Sequence, residues 1–303
     1  MDRLQALEAL VAVADHGGFA AGARAIRMSP PAMTRIIAAL EAHLGVALFH
    51  RSTRAVTLTE EGAAFLASSR RVLDDLRTAE LAAMGGQDAP QGMLIVTAPV
   101  AFGQRHVVPV TNALLSAHPR LAIRLLLIDR NVRIVEEGID VAVRIGPLAD
   151  SSLVARKIGE VARVAVASAG YLAEHGAPAD PQELKRHALI GVTAVNPATE
   201  WRFGAKGEVG VAIRPRLLVN TNDAAIQAAE AGIGIAYQLS YQVDEAIAAG
   251  RLAPVLTEYW RGPIPVHLVF GASRAGTPAV RAFADAMQAR AVEVLHNAQT
   301  RSS

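Results

Sequence analysis

The stretch "MSPPAMTRIIAALE", Met28 to Glu41, has the periodicity of a helix but opens on a serine and two prolines. Proline lacks a backbone N–H, and in a helix interior it breaks a hydrogen bond. At the first two helical positions that N–H has no intrahelical partner, so nothing is lost there. Ser29 then reads as the N-cap, its hydroxyl oxygen left to accept from the N–H of Ala32. At about 100° per residue, Met33, Ile37, Leu40 and Leu44 fall in one sector and are predicted core. Opposite them lie Pro31, Thr34, Arg35, Ala38 and Ala42. A solvated face would more usually carry lysines and glutamates. Small residues broken by one hydroxyl and one guanidinium suit a face pressed into a DNA groove. There threonine bonds a base or touches a thymine methyl, and arginine pairs bidentately with guanine.

Upstream, Leu4, Leu7, Leu10 or Val11, and Ala14 give a first helix its apolar stripe, and Gly17-Gly18 stops it. Phe19 to Ile26 is a short alanine-rich second helix, joined to the third across Arg27-Met28. Two helices meeting at a tight turn form a helix-turn-helix pattern. Downstream, "LFHRSTRAVTLTEEG" reads as a hairpin, Phe49 against Val56–Leu58, with Arg51, Ser52, Thr53 and Arg54 at its tip. A basic hairpin beside a recognition helix reaches phosphates or the minor groove. From Arg24 to Arg54 there are five arginines and one acid, Glu41, although the whole chain carries a net charge of only +2. A basic island in a near-neutral protein fits a phosphate-contacting module.

Residues 60–84 form one unbroken helical pattern with Leu66, Leu73, Leu76 and Ala83 near heptad spacing and Thr59 as its cap. At ~1.5 Å per residue it would be roughly 37 Å long, and it is expected to pair with a second copy of itself. "GGQDAPQG", residues 85–92, has the composition of a hinge. Beyond it, apolar runs at 94–96, 121–128, 141–145, 161–167, 213–219, 233–237 and 264–270 alternate with helical stretches at 101–117, 222–231, 241–249 and 277–296. Such alternation predicts an α/β domain with largely parallel sheets, large enough for two lobes.

At 303 residues with 51% apolar residues the composition is globular, and two or three domains are expected. No cysteine is present, so disulfide and thiol chemistry are excluded and a reducing, cytoplasmic location fits. The N-terminus is a poor signal peptide, and no apolar run is long enough to span a membrane. Enzyme motifs are lacking. The nine histidines show no metal-ligand spacing, G-x-S-x-G is absent, and "GIGIA" at 232–236 follows a helix where a dinucleotide loop would follow a strand. The acidic pairs Glu60-Glu61, Asp74-Asp75 and Glu136-Glu137 sit on helical patterns and read as solvated. No cofactor and no metal is expected.

The run "GGFAAGARAIRMSPPAMTRIIAALEAHLGVALFHRSTRAVTLTEEG" resembles the winged helix-turn-helix of LysR-type transcriptional regulators in order and spacing. The similarity continues through "VTAPVAFGQRHVVP", "EEGIDVAVRIG", "AAEAGIGIA", "AAGRLAPVL" and "SRAGTPAVRAFADAM", covering essentially the whole chain. It implies an α/β multidomain protein: an α-rich winged helix-turn-helix (1–60), a dimerisation linker helix (61–84), a hinge (85–92) and a two-lobed effector-binding domain (93–303). Lobe I would take about 93–162 and 267–303, and lobe II about 163–266. Position by position, the family's DNA contacts fall on Ser29, Pro30, Pro31, Thr34, Arg35, Arg51 and Arg54, with Thr53 between the last two. Pro30 stands where a glutamine is frequent and Ile36 where a polar residue is common, so polar readout falls to Thr34 and Arg35.

The implied partners are operator DNA, a small-molecule effector and further copies of the chain as homodimer or homotetramer, with RNA polymerase as a further candidate and no membrane. In open α/β sheets, ligands sit beyond the carboxyl ends of strands, against helix N-termini. That singles out Thr97, Val100 and Phe102 after the first strand, and Thr221 and Asn222 in the other lobe, where either also serves as an N-cap. Arg144 meets an anionic effector or pairs with Asp129 or Asp140; Thr193 and Asn196 follow "ALIG", and Trp201 and Phe203 read as packing residues. The alternative from another class is a cytosolic small-molecule binding protein whose N-terminal helices serve protein docking.

Overall fold

The computed structural model describes residues 1–51, 56–83, 89–130, 132–134, 136–148, 153–193, 200–272 and 274–295. The chain divides into two compact units, Met1–Asp88 and Ala89–Ser303. In the first, helix α1 (Arg3–Asp15) is capped by Asp2, whose carboxylate accepts from the N–H groups of Leu4 and Gln5 at 3.0 and 3.3 Å. Its buried face is Ala6, Ala9, Leu10, Ala12 and Val13, whereas Leu4 is exposed. The expected leucine stripe is therefore rotated. The cause is α2 (Phe19–Ala25), which approaches α1 so closely that a Cβ on Gly22 would lie 2.8 Å from the backbone of Ala12 and Val13. Only small residues fit that contact.

Helix α2 ends with the Met28 N–H bonded back to the Ala23 carbonyl at 2.8 Å and Arg27 in the left-handed region at φ 55°. This Schellman closure turns the chain into α3 (Pro30–Leu44), which has Ser29 as N-cap and Gly45 as its left-handed C-cap. Met33, Ile37 and Leu40 are buried against α1, α2, Leu48, Phe49 and Leu66. Strands β1 (Phe49–Arg51) and β2 (Val56–Leu58) pair antiparallel, with Phe49 opposite Leu58. Helix α4 (Glu60–Ala83) follows; Thr59 caps it by accepting from the Gly62 N–H at 2.8 Å.

The second unit contains β3 (Gly92–Ala98), α5 (Val100–Phe102), a π-helical turn (Gly103–Val107), α6 (Val108–Ala117), β4 (Leu121–Leu127), β5 (Val141–Ile145) and β6 (Leu153–Ala167). Then come α7 (Ala169–His175), β7 (Leu189–Val192), the separate hairpin β8 (Glu200–Phe203) and β9 (Val209–Ala212), and β10 (Leu217–Val219). Last are α8 (Asn222–Glu230), β11 (Ile235–Leu239), α9 (Ser240–Ala248), β12 (Ala253–Val255), β13 (Arg261–Gly271) and α10 (Pro278–Leu295). One mixed sheet runs in the order β10-β7-β11-β6-β13-β5-β3-β4, with β12 added to β6. It is parallel at each end, among β5, β3 and β4 and among β10, β7 and β11.

The middle departs from the expected parallel sheet. Strands β6 and β13 are long and antiparallel, because the chain leaves one lobe along β6 and returns along β13. The single strand expected over 213–219 is interrupted between Ala212 and Leu217, where Pro215 cannot donate to a ladder. Glu136 and Glu137 lie in a turn rather than a helix, ion-paired with Arg133 and Arg130 at 2.9 and 2.8 Å.

Two predictions follow from this packing. A Cβ on Gly62 would lie 2.0 Å from the Leu48 carbonyl oxygen. Gly62→Ala is expected to destabilise the first unit by about 1–3 kcal/mol, read as a lower Tm for its transition in calorimetry of the full chain. His106 is buried against Phe102 and Tyr241, and both its ring nitrogens lack a hydrogen-bond partner among the described residues. Burial first, then Arg290 and Arg105, lowers its pKa from 6.5 to about 4. Between those values the unfolded chain binds a proton that the folded chain refuses. The stabilising contribution is therefore complete above pH 6.5 and is lost as pH falls toward 4. By pH 5 the loss should be of the order of 1–2 kcal/mol, and His106→Leu should flatten this slope in Tm measured from pH 7 to 5.

Candidate functional site

The outer face of α3 is exposed at Pro30, Pro31, Thr34, Arg35, Ala38 and Ala42. Ser29 spends its hydroxyl oxygen on the Ala32 N–H at 3.4 Å. Thr34 donates its hydroxyl to the Pro30 carbonyl at 3.1 Å, so its methyl and oxygen lone pairs are what remain for a partner. Arg35 makes no ion pair or hydrogen bond among the described residues, and Arg24 and Arg27 are exposed on the neighbouring turn.

The one acid of this basic island is turned away. Glu41 accepts from the N–H groups of Leu48 and Phe49 at 2.8 and 3.3 Å, pinning the start of β1 to α3. Ile36, where the family resemblance leads one to expect a polar residue, is half-buried and packs on the core. Arg51 places its backbone at the end of β1; Thr53 and Arg54 lie outside the described residues. The arrangement presents one arginine, two prolines and alanines on one helix face and, among the described residues, no free carboxylate beside them. Because the Thr34 hydroxyl is already bonded within the helix, Thr34→Val should leave DNA affinity within about threefold, whereas Thr34→Ser, lacking the methyl, should weaken it more in gel-shift titration.

The second unit holds a cavity of about 800 Å³ between its two lobes. Its wall takes Thr97 and Pro99 from the end of β3, Asp129 after β4, and Arg144 and Gly146 from the end of β5. Arg163, Arg261 and Ile264 come from the crossing strands, and Ile190, Trp201, Asn222 and Tyr237 from the far side. Among the described residues the lining carries six cations (Arg130, Arg144, Arg163, Arg202, Lys206, Arg261) against two carboxylates, Asp129 and Glu200.

Several expected contacts are spent elsewhere. Thr97 lines the cavity but donates its hydroxyl to the Leu126 carbonyl at 2.9 Å. Val100 is not in the wall, and its N–H is taken by Asp129 at 3.0 Å. Phe102 is buried in the lobe core, edge-on to Tyr241. Thr193 donates to the Val219 carbonyl at 3.3 Å, and Thr221 caps α8 by accepting from the Ala224 N–H at 3.3 Å; neither lines the cavity. Asn196 lies outside the described residues. Arg144 donates to the Val132 carbonyl at 2.6 Å, and burial lowers its pKa. Asp140 belongs to a different pair, 2.8 Å from Arg274.

Trp201, read as a packing residue, is buried and also forms part of the wall, while Phe203 is core only. Arg163, Arg202, Lys206, Tyr237, Tyr241 and Arg261 were not singled out from the sequence. One signal existed: in "VARVAVA", 161–167, an arginine interrupts an otherwise apolar strand. Among the described residues no group of three His, Asp or Glu could hold a metal, and no helix is long and apolar enough to cross a membrane.

These parts define a winged-helix unit with a cationic helix face, joined to a two-lobed α/β domain with a large central cavity. Residues 4–63 match the model of the bacterial regulatory helix-turn-helix protein, lysR family, and residues 87–292 that of the LysR substrate binding domain. The chain belongs to the LysR family of DNA-binding transcriptional regulators, with an effector-binding domain as its second unit. It is 35% identical over 280 residues to the HTH-type transcriptional regulator DmlR of Escherichia coli (strain K12), spanning 92% of this chain and 91% of that one. It is 34% identical over 287 residues to PtxR of Pseudomonas aeruginosa, spanning 94% and 92%. The solved structure of CrgA, a LysR-type regulator from Neisseria meningitidis, matches with a TM-score of 0.60 and 28% identity, covering 95% and 98%. These relatives are transcriptional regulators.

Proposed function

We propose that α3 is the recognition helix, reading operator DNA through Thr34 and Arg35, and that the β1–β2 hairpin supplies phosphate contacts through Arg51 and Arg54. The observation that carries this reading is the outer face of α3: Arg35 stands exposed among prolines and alanines, and Glu41, the acid beside it, is bonded inward to the backbone. Such a face lies close against a groove and brings no carboxylate to repel phosphate.

The cavity of the second unit is the effector site in this reading, and its occupant biases the arrangement of paired DNA-binding units through the 85–92 segment. That coupling requires an effector with different affinity for the two arrangements. Copies associate along α4, whose Val72 and Leu76 are 48% and 36% exposed, more than a settled apolar face of one chain requires. No catalytic step is assigned to either unit.

The test is gel-shift titration of the chain's own upstream DNA at several salt concentrations. Binding should weaken steeply with salt and prefer that DNA over unrelated sequence; absence of binding at moderate salt would sink the reading. Arg35→Ala should cost about 1–3 kcal/mol and relax preference at one base position. Equal loss on all sequences would reassign Arg35 to phosphate.

A further inference from the structure

Arg163 on β6 and Arg261 on β13 are direct cross-strand partners, and both line the cavity. Like charges directly opposite on neighbouring antiparallel strands repel. The other lining arginines have partners: Arg202 pairs with Glu200 at 2.9 Å, Arg130 with Glu137 at 2.8 Å, and Arg144 donates to the Val132 carbonyl. Among the described residues Arg163 and Arg261 have neither an ion pair nor a hydrogen bond from their side chains. Arg163 has only the ring of Tyr237, 5.5 Å from Cζ to the centroid.

Burial pulls the Arg163 pKa below the usual guanidinium range, and the Arg261 charge adds to that, while Tyr237 and Tyr241 act in the opposite direction. Guanidinium nevertheless stays protonated. The cleft therefore maintains two adjacent positive charges, that of Arg163 poorly solvated, with no counter-ion among the described residues, an arrangement an anion would relieve.

Two further observations narrow the anion. At the helix N-termini beside the cleft two backbone donors are already taken, the Val100 N–H by Asp129 and the Ala224 N–H by Thr221. The Arg163 and Arg261 guanidinium forks carry no such partner among the described residues, and they match paired oxygens. A cavity of about 800 Å³ is far larger than a bare inorganic ion needs, and Trp201, Tyr237 and Ile264 offer it an aromatic and aliphatic wall.

We propose that the effector is an organic oxyanion, its carboxylate or phosphate head held jointly by Arg163 and Arg261 and its apolar body set against Trp201, Tyr237 and Ile264. This deepens, and rests on, the reading of the cavity as the effector site. The head binds on the two strands that connect the lobes, where neutralising the pair stabilises their mutual register.

The test uses thermal shift of the full chain with millimolar sodium benzoate and hexanoate against benzamide and hexanamide, with inorganic phosphate as a third arm. The acids should raise Tm and the amides should not. Arg163→Gln and Arg261→Gln should each weaken the protection at least tenfold. Unliganded Arg163→Gln should melt at or above the wild-type temperature, because a repulsive neighbour has gone. Protection by phosphate that is lost in Arg163→Gln supports the same oxyanion chemistry and assigns the head to a phosphate.

Equal protection by the amides would overturn the proposal. So would a drop of several degrees in unliganded Arg163→Gln, or no shift of the wild type by any acid or by phosphate at tens of millimolar. An acid that binds through Arg163 but leaves the operator footprint unchanged would keep the anion site and remove the regulatory reading. A neutral ligand that changes the footprint would do the reverse.

Discussion

The antiparallel pairing of β6 with β13 is the constraint on which the second unit depends. The chain passes out along β6 and back along β13, and their ladder runs from Leu153 opposite Gly271 to Arg163 opposite Arg261. Each end of the sheet is a parallel cluster with its own buried core, and parallel strands need covering on both faces. Joining two such clusters through one antiparallel pair leaves a space between the lobes whose floor is the crossing strands. The cavity is therefore a consequence of the topology, and the residues at the crossing are seen by both lobes. The pairing shifts register between Arg261 and Ile264, which loosens strict alternation where the wall needs side chains from both strands.

The first unit depends on a smaller device of the same kind. Ser29, Pro30 and Pro31 set where α3 begins, and Glu41, nearly three turns later, ties that helix to the hairpin through two backbone N–H groups. A carboxylate used in this way satisfies donors that would otherwise be left unpaired in a partly buried turn. It also removes the local acid from the face proposed to approach phosphate. One side chain thus answers a folding requirement and an electrostatic one together.

The helices of the first unit were legible in the sequence because their periodicity is local: Met33, Ile37 and Leu40 share a sector, and the caps announce the ends. The rotation of α1 was not, because it is decided by how closely Gly22 lets α2 approach, a tertiary fact. In the second unit the sequence located the neighbourhood of the cleft, and Thr97, Asp129, Arg144 and Asn222 lie in its wall. It also selected Val100, Thr193 and Thr221, whose polar groups are consumed by capping or backbone bonds. Local rules recognise groups capable of binding and do not reveal which are already bound. Arg163 and Arg261 escaped because they meet only through strand register between segments far apart in the chain.

The two cationic sites share a physical logic that ties them together in the proposed function. Among the described residues Arg35 on one unit, and Arg163 and Arg261 on the other, stand without carboxylate partners, while the nearby acids Glu41 and Asp129 serve the backbone. In the proposed reading each site is less favourable empty than occupied by an anion, phosphate on one unit and an effector head on the other. If effector occupancy changes operator affinity by some factor, operator occupancy changes effector affinity by the same factor. Regulation then needs no strong intrinsic affinity at the cleft. It needs only that the crossing strands hold the two arginines differently in the arrangements that the paired DNA-binding units adopt.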